Sequence, residues 1–210
     1  MSRIFVASRN AKKLAEMERI LAPLMPDVVV VGLDDVAFYD EPVEDAPTFE
    51  GNALLKARAG FAATGLPTVS DDSGLCVDAL NGMPGVLSAR WSGQPRGSTL
   101  GQDKRNNTLL LDQLLDVPDE RRTGYFICAV AFVWPGADGI EQSLVVEGRM
   151  TGRVLREERG ASGFGYDPLF EPDATPGRTS AELSVEEKDA VSHRGQALRE
   201  IVPRIAAALS

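Results

Sequence analysis

Two hydrophobic patterns alternate in the first third of the chain. Short apolar runs, such as RIFVAS and DVVVVGL, are typical of buried strands and predict strands over 3–8, 27–33 and 67–74. Between these runs, apolar residues recur at helical spacing and predict helices over 9–21 and 49–65. This order of strands and helices is typical of an α/β domain.

The rest of the chain adds a different arrangement. A helix is predicted over 98–118, and two β-rich segments over 124–134 and 139–152 flank PGADG, which favours a hairpin. The segment 184–209 is predicted to be helical and to be interrupted at two breakers, Gly195 and Pro203. A hairpin added to alternating strands and helices predicts a mixed sheet. Helix ends are marked by Gly65 and by capping residues at Asn10, Thr48, Ser98 and Ser184.

Length and composition predict one globular domain over residues 1–210. The 210 residues are 43% hydrophobic and 25% charged, which are ordinary values for a globular protein with a sizeable core. The two cysteines, Cys76 and Cys128, lie in apolar stretches without metal-ligand spacing and are interpreted as buried thiols.

The acidic balance excludes two classes of partner. A net charge of −9 and a pI near 4.7 disfavour binding to nucleic acid or to a membrane surface, both of which attract basic proteins. The chain has no secretory signal pattern and no apolar run of transmembrane length, so we expect a cytoplasmic protein. Any anionic ligand must be held by a local group of cations or by a metal ion.

The segment SDDSGLCVDALNGMPGVLSAR, over 70–90, contains the first candidate chemistry. Adjacent carboxylates repel each other and lose solvation when they are buried. Asp71, Asp72, Ser73 and Gly74 are all residues that favour turns, so an ordinary turn is one interpretation. A metal site is the other.

Another candidate site is ASRNAKK, over 7–13, at a strand-to-helix junction. A helix N-terminus offers free N–H groups and the positive end of the dipole, which suits phosphate. Lys13 lies in the first turn, where a cation is unfavourable unless an anion is bound. A plain capped helix with solvated lysines is the alternative.

Three further stretches have a structural and a functional interpretation. Asn52 and Lys56 share one helix face, downstream of an acidic loop, and are either a solvated pair or part of a site. The segment SGFGYDPLF, over 162–170, either offers an aromatic face to a base or contributes aromatic residues to the core. The segment EEKDAVSHRG near the C-terminus contains the only histidine of the chain beside cations, which is either structural or part of a site.

The common nucleotide and hydrolase motifs are absent. The chain has no Walker A pattern, no complete G-x-G-x-x-G and no G-x-S-x-G. The chain thus combines a helix N-terminus suited to anions with several cations and a carboxylate cluster, in an acidic protein. This combination favours a metal-bound polyphosphate as ligand.

Five blocks of the chain resemble, in order, those of the Ham1-like inosine triphosphate pyrophosphatase family. They are SRNAKK, TFEGNALLKA, DDSGLCVDALNGMPGVLSAR, GFGYDPLF and SHRGQAL, spread over 8–198. The resemblance implies an elongated, two-lobed α/β domain, with a central mixed sheet flanked by helices and a nucleotide cleft between the lobes. It also implies a homodimer.

The resemblance also implies a role for each block. Glu44 and Asp72 would be Mg²⁺ ligands, with Asp72 also the catalytic proton acceptor. Lys56 and Ser73 would contact the phosphates. The triphosphate loop would consist of Ser8, Arg9, Asn10, Ala11, Lys12 and Lys13. Base and other substrate contacts would come from Phe164, Gly165, Tyr166, Asp167, Lys188, His193 and Arg194.

The implied reaction is hydrolysis of purine nucleoside triphosphates with non-standard bases (ITP, dITP, XTP and dXTP). The products would be a nucleoside monophosphate and pyrophosphate. Arg194 or Lys188, aimed at the 6-keto oxygen, would disfavour ATP, whose amino group is a donor. Two alternatives stay open: a pyrophosphatase for other modified nucleotides, and a non-catalytic nucleotide sensor.

Overall fold

A computed structural model describes residues 2–8, 10–26, 28–93, 100–136 and 138–209. Its strands form one sheet in the order β2-β1-β3-β4-β5-β6. β1 is parallel to β2 and to β3, whereas β5 and β6 are antiparallel, so the sheet is mixed. The strands are β1 (Ser2–Val6), β2 (Val28–Val31), β3 (Thr68–Val77), β4 (Thr123–Pro135), β5 (Glu141–Val154) and β6 (Phe170–Pro172).

Helices accompany this sheet, which confirms the predicted α/β class. β4 and β5 are neighbours in the sheet and are joined by residues 136–140, as the hairpin prediction requires. Within the described ranges no helix is long and apolar enough to cross a bilayer. The helices are α1 (Ala11–Leu24), α2 (Phe49–Thr64), α3 (Gln102–Gln113), α4 (Val185–Val191) and α5 (His193–Ala208).

The chain divides into two compact units. The first unit comprises Met1–Asp72, Cys128–Gly148 and His193–Ser210; the second comprises Ser73–Ile127 and Arg149–Ser192. The expected elongated shape and the nucleotide cleft stay predictions.

In the first unit, helices cover both faces of the sheet. Ile4 and Val6 of β1 pack with α1 and α5, whereas Phe5, between them, faces the other side of the strand. On that other side α2 approaches closely at Gly60, where a Cβ would lie only 2.8 Å from Cε1 of Phe5. β3 therefore has one face toward α1 and α5 and the other toward α2.

The second unit has a core of its own. Leu75 and Val77 of β3 pack with Leu110 and Leu114 of α3 and with Phe170 of β6. Phe126 and Phe170 meet edge to face, with ring centroids 4.8 Å apart. This core supports the loops that precede β6.

Of three local predictions, two need correction and one is confirmed. The stretch from Asp71 to Gly74 is not a turn, because β3 continues through it to Val77. The predicted cap Ser98 lies outside the described residues, and α3 begins at Gln102 with Gly101 as its N-cap. The two buried thiols are confirmed: Cys76 and Cys128 are both free and buried.

The C-terminal helix breaks at a different position from the predicted one. Ser192, with ψ 150°, separates α4 from α5, and both Gly195 and Pro203 lie inside α5. Gly195 is tolerated because it lies in the first turn, where N–H groups have no helical partner. Pro203 removes one hydrogen bond, but Ile201, Val202 and Ile205 around it are buried and hold the helix.

Candidate functional site

The adjacent carboxylates of β3 have separate surroundings. Successive side chains of a strand point to opposite faces. Asp71 therefore faces α1 and α5, and Asp72 faces α2. Both are buried, with 1% and 7% of their surface exposed.

Asp71 lies among cations of the first unit. Lys13 Nζ of α1 is 3.1 Å from Asp71 Oδ2, and Arg194 Nη2 of α5 donates to the same oxygen at 3.2 Å. Arg194 Nη1 also donates to Glu16, and the thiol of Cys128 lies 3.7 Å from Asp71 Oδ2. Asp71 thus ties the start of α1 to the start of α5.

These charges determine the ionisation of the group. Burial alone would raise the pKa of Asp71, but Lys13 and Arg194 hold that pKa well below its ordinary value. Burial would lower the pKa of Arg194, yet the adjacent Asp71 raises it, so the guanidinium stays charged. Burial, with the Asp71 carboxylate nearby, raises the pKa of Cys128 to about 12, so this thiol stays protonated.

Asp72 belongs to a second group, centred on α2. Asn52 Nδ2 donates to Asp72 Oδ2 at 3.0 Å, and Asn52 Oδ1 accepts the Ala46 N–H at 3.0 Å. Lys56 Nζ lies 2.6 Å from Glu44 Oε1 and 3.9 Å from Asp72 Oδ1. The four-residue spacing on α2 therefore brings Asn52 and Lys56 to the same carboxylate.

The second group suits a cation and phosphate. Burial raises the pKa of Asp72, an effect that Lys56 opposes and the Glu44 carboxylate adds to. Among the described residues, no three His, Cys, Asp or Glu side chains form a ligand set. Mg²⁺ is commonly held by one or two carboxylates together with substrate phosphates, so Glu44 and Asp72 fit it as a pair.

The start of α1 is a capped helix terminus. Asn10 Oδ1 accepts the N–H groups of Lys12 and Lys13 at 3.1 and 3.2 Å, which confirms the predicted cap. Ser8 and Ala11 line a cavity of about 610 Å³ whose wall also includes Glu18, Asp34 and Asp35. From the described part of this segment, Lys13 reaches the Asp71 carboxylate of β3. Arg9, predicted in the same loop, lies outside the described residues.

In the second unit, the segment over 163–167 forms a turn tied to α4. Asp167 Oδ2 accepts the Phe164 N–H at 2.9 Å and pairs with Lys188 Nζ at 2.7 Å. Lys188 Nζ also lies 5.1 Å from the centre of the Phe164 ring. Lys188 thus contacts both the buried Asp167 carboxylate and the Phe164 ring. We call residues 163–167 the aromatic turn.

The other predicted residues have varied settings. Tyr166 is a core residue whose hydroxyl donates to the Ser88 carbonyl at 2.9 Å, so its ring is not available for stacking. Ser73 follows Asp72 on β3 and is half-buried, and His193 is buried at the start of α5. The core interpretation of the 162–170 segment is therefore confirmed for Tyr166, and an aromatic face for a base at Phe164 stays a prediction.

Some residues of these groups were not predicted as site residues. Glu16 pairs with Arg194, and Asp103 and Asn107 of α3 contact the aromatic turn. These contacts join residues more than 50 positions apart in the sequence, so a local sequence pattern could not predict them. Asn52 was identified on the Lys56 face, but its bond to Asp72 was not.

These observations define an α/β protein with buried carboxylates, lysines and an arginine at its sheet, a class suited to metal-bound phosphates. The chain belongs to the Ham1 family, whose model matches residues 4–204. It is 59% identical over 208 residues to the dITP/XTP pyrophosphatase of Nocardia farcinica, covering 99% of this chain and 96% of the relative.

Other relatives agree. The dITP/XTP pyrophosphatase of Mycolicibacterium paratuberculosis is 57% identical, over 98% of this chain and 96% of its own. A crystal structure of a nucleoside-triphosphatase / dITP/XTP pyrophosphatase from Mycobacterium abscessus is 54% identical, with a TM-score of 0.74, covering 96% of this chain and 99% of that one. A HAM1 protein from Coxiella burnetii is 37% identical, with a TM-score of 0.80, covering 99% of this chain and all of its own.

Proposed function

We propose that this protein hydrolyses purine nucleoside triphosphates with non-standard bases, namely ITP, dITP, XTP and dXTP, to nucleoside monophosphate and pyrophosphate. The observation that carries the proposal is the buried Asp72, to which Asn52 donates, with the Lys56 ammonium near both Asp72 and Glu44. The names of the relatives from Nocardia and Mycolicibacterium support the substrate class.

Glu44 and Asp72 would hold a Mg²⁺ ion, which when bound supplies charge neutralisation and polarises a phosphoryl oxygen. Asn52 donates to Asp72 Oδ2, and the Asp72 carboxylate would orient a water and accept its proton. The water oxygen bonds to the α-phosphorus while the bond to the bridging oxygen breaks, and pyrophosphate leaves. Lys56 and Lys13 would offset the charge of the phosphates.

The second unit would supply the base contacts. Stacking on Phe164 contributes about 1–3 kcal/mol and does not distinguish purines. The Lys188 ammonium group, which can donate hydrogen bonds but cannot accept them, would face the 6-keto oxygen of hypoxanthine or xanthine. An adenine amino group in that position would leave two donors facing each other, which costs binding. His193 and Arg194 are proposed as further substrate contacts, as are Ser8, Ser73 and the remaining residues of the triphosphate loop.

The finer features follow from the same proposal. The enzyme would depend on Mg²⁺, would act in the cytoplasm on the nucleotide pool and would form a homodimer that size-exclusion chromatography with light scattering can detect. An acidic protein of net charge −9 would bind neither nucleic acid nor membranes.

The test is a product assay with Mg²⁺ on ITP, XTP, ATP, GTP and dTTP. Turnover of ITP and XTP in preference to the others, giving monophosphate and pyrophosphate, is the expected result. Diphosphate and inorganic phosphate as products would contradict attack at the α-phosphorus. Binding of ITP without turnover would instead favour a sensor, and preferred turnover of dTTP a different nucleotide class.

A further inference from the structure

Helix α3 holds both backbone polar groups of a single residue, Gly165, in the aromatic turn. The Gly165 N–H donates to Asp103 Oδ2 at 2.9 Å, and the Gly165 carbonyl accepts from Asn107 Nδ2 at 3.1 Å. Asp103 and Asn107 are four residues apart and therefore lie on one face of the helix. Helix α3 thus holds the residue that follows Phe164 through two hydrogen bonds.

Of the two α3 residues, Asp103 is exposed and Asn107 is buried in the second unit. Asn107 is 3% exposed, and its Nδ2 also donates to Glu158 Oε1 at 3.0 Å. The other oxygen of Glu158 pairs with Lys104 Nζ at 2.6 Å. The Asn107 amide nitrogen therefore donates both to Glu158 and to the turn, so Glu158 helps to fix the amide that holds Gly165.

The bonds from α3 add to those that the turn makes within itself and to α4. Gly163 and Gly165 have φ values of +77° and +60°, in the left-handed region. Within the turn, the Asp167 N–H donates to the Phe164 carbonyl at a long 3.3 Å. Glycines lose more freedom than other residues when they become ordered, so bonds from α3 bear directly on where the Phe164 ring lies.

We propose that Asp103 and Asn107 are positioning residues for the nucleobase. They would act without touching the substrate. By holding the N–H and the carbonyl of Gly165, they keep the Phe164 ring and Lys188 in the geometry in which these receive the base. This inference rests on the proposed function, in that the aromatic turn is taken as the base contact.

The experiment compares two changes at Asp103. Asp103→Ala removes the acceptor, whereas Asp103→Asn keeps an acceptor oxygen and removes only the charge. We expect Asp103→Ala to raise the KM for ITP about tenfold with kcat within about twofold, and Asp103→Asn to restore a KM near the wild-type value. Asn107→Asp, which replaces the donor with a carboxylate facing Glu158, should raise KM at least as much.

Inorganic tripolyphosphate separates positioning from general damage. It is a competitive probe for the phosphate-binding groups and has no base, so its Ki should be unchanged in all three variants. Asp112→Ala, an exposed change on the same helix, is the matched control and should leave both constants unchanged. An unchanged KM in Asp103→Ala, an Asn variant as impaired as the Ala variant, or a parallel rise in the Ki of tripolyphosphate would overturn the proposal.

Amide hydrogen exchange at Gly165 tests these hydrogen bonds without substrate. Faster exchange confined to the aromatic turn is expected in Asp103→Ala, and unchanged exchange would contradict the proposed hold. If the wild-type protein neither binds nor hydrolyses ITP, the proposed function fails and the nucleobase role fails with it. Wild-type turnover of ITP with an unchanged KM in Asp103→Ala would leave the function intact and reject the positioning role alone.

Discussion

Asp71 and Asp72 are adjacent residues with different environments. Burial raises the pKa of Asp72, whereas at Asp71 Lys13 and Arg194 outweigh burial and hold the pKa well below its ordinary value. A carboxylate with a lowered pKa is a poor proton acceptor. Asp72 is therefore the residue of the pair that we propose to accept a proton or to share a metal ion.

Replacing Asp72 tests this assignment. Asp72→Asn keeps the shape of the side chain and removes both its basicity and its charge, so we expect turnover of ITP to fall at least about a thousandfold. Circular dichroism should show an unchanged fold. Asp78→Asn, the same change at an exposed position just after β3, is the control. Activity near wild type in a folded Asp72→Asn protein would refute the mechanism.

Arg194 also contributes to stability, a role that the sequence did not predict. It is 2% exposed and pairs with Asp71 and Glu16. Arg194→Ala leaves a buried carboxylate with fewer partners, so we expect the free energy of unfolding to fall by about 3–5 kcal/mol. Urea denaturation measures it. Any loss of preference for ITP over ATP has to be measured below the melting temperature of the variant.

Two further variants define the Arg194 result. Arg204→Ala, on the same helix but in an exposed pair with Glu200, should change stability by less than about 1 kcal/mol. Arg194→Ala combined with Asp71→Ala should recover part of the loss, because the orphaned charge is gone. Equal stability of the Arg194→Ala and Arg204→Ala proteins would contradict the argument.

At the level of elements, local capping signals predicted the starts of α1 and α2 and, at Gly65, the end of α2, but not the start of α3. Asn10 and Thr48 cap α1 and α2 as predicted, because a capping side chain acts within three residues of itself. Pro203 misled the prediction, since the burial of its neighbours outweighs one lost hydrogen bond. Likewise, Asp71 and Asp72 favour turns locally but lie in a strand, where cations from α1, α2 and α5 compensate them. Those partners are distant in sequence and could not be paired from one chain.

Close packing between a strand and a helix gives an element-scale prediction. A Cβ on Gly148 of β5 would lie 2.1 Å from the His193 carbonyl oxygen and 2.7 Å from the Ala197 nitrogen of α5. Gly148→Ala must displace the start of α5, so we expect destabilisation of about 1–3 kcal/mol or more. Thermal denaturation measures it.

Gly32 offers the matched control for Gly148. A Cβ there would be no closer than 3.7 Å to any neighbouring atom, an ordinary contact. Gly32→Ala should change stability by about 0.5 kcal/mol or less. Similar melting temperatures for the two variants would show that the start of α5 can shift without loss of stability.

At the scale of the whole molecule, charge sets the conditions for binding. A protein of net charge −9 repels a polyphosphate at long range, and Lys13 and Lys56 are already paired with carboxylates. Phosphates that approach Glu44 and Asp72 add like charge to like charge. A divalent cation resolves this conflict because it binds carboxylate and phosphate oxygens together.

Chelation of divalent ions should therefore stop ITP hydrolysis, and Mg²⁺ should restore it. Glu44→Gln removes one of the two carboxylates, so the Mg²⁺ concentration for half-maximal activity should rise at least about tenfold, while saturating Mg²⁺ recovers most of kcat. Asp72→Asn should not recover at any Mg²⁺ concentration, because it lacks the proton acceptor as well. Glu50→Gln, at an exposed position in the first turn of α2, should keep the wild-type requirement. Full turnover in EDTA would exclude the metal, whereas recovery of Asp72→Asn at high Mg²⁺ would reduce Asp72 to a ligand.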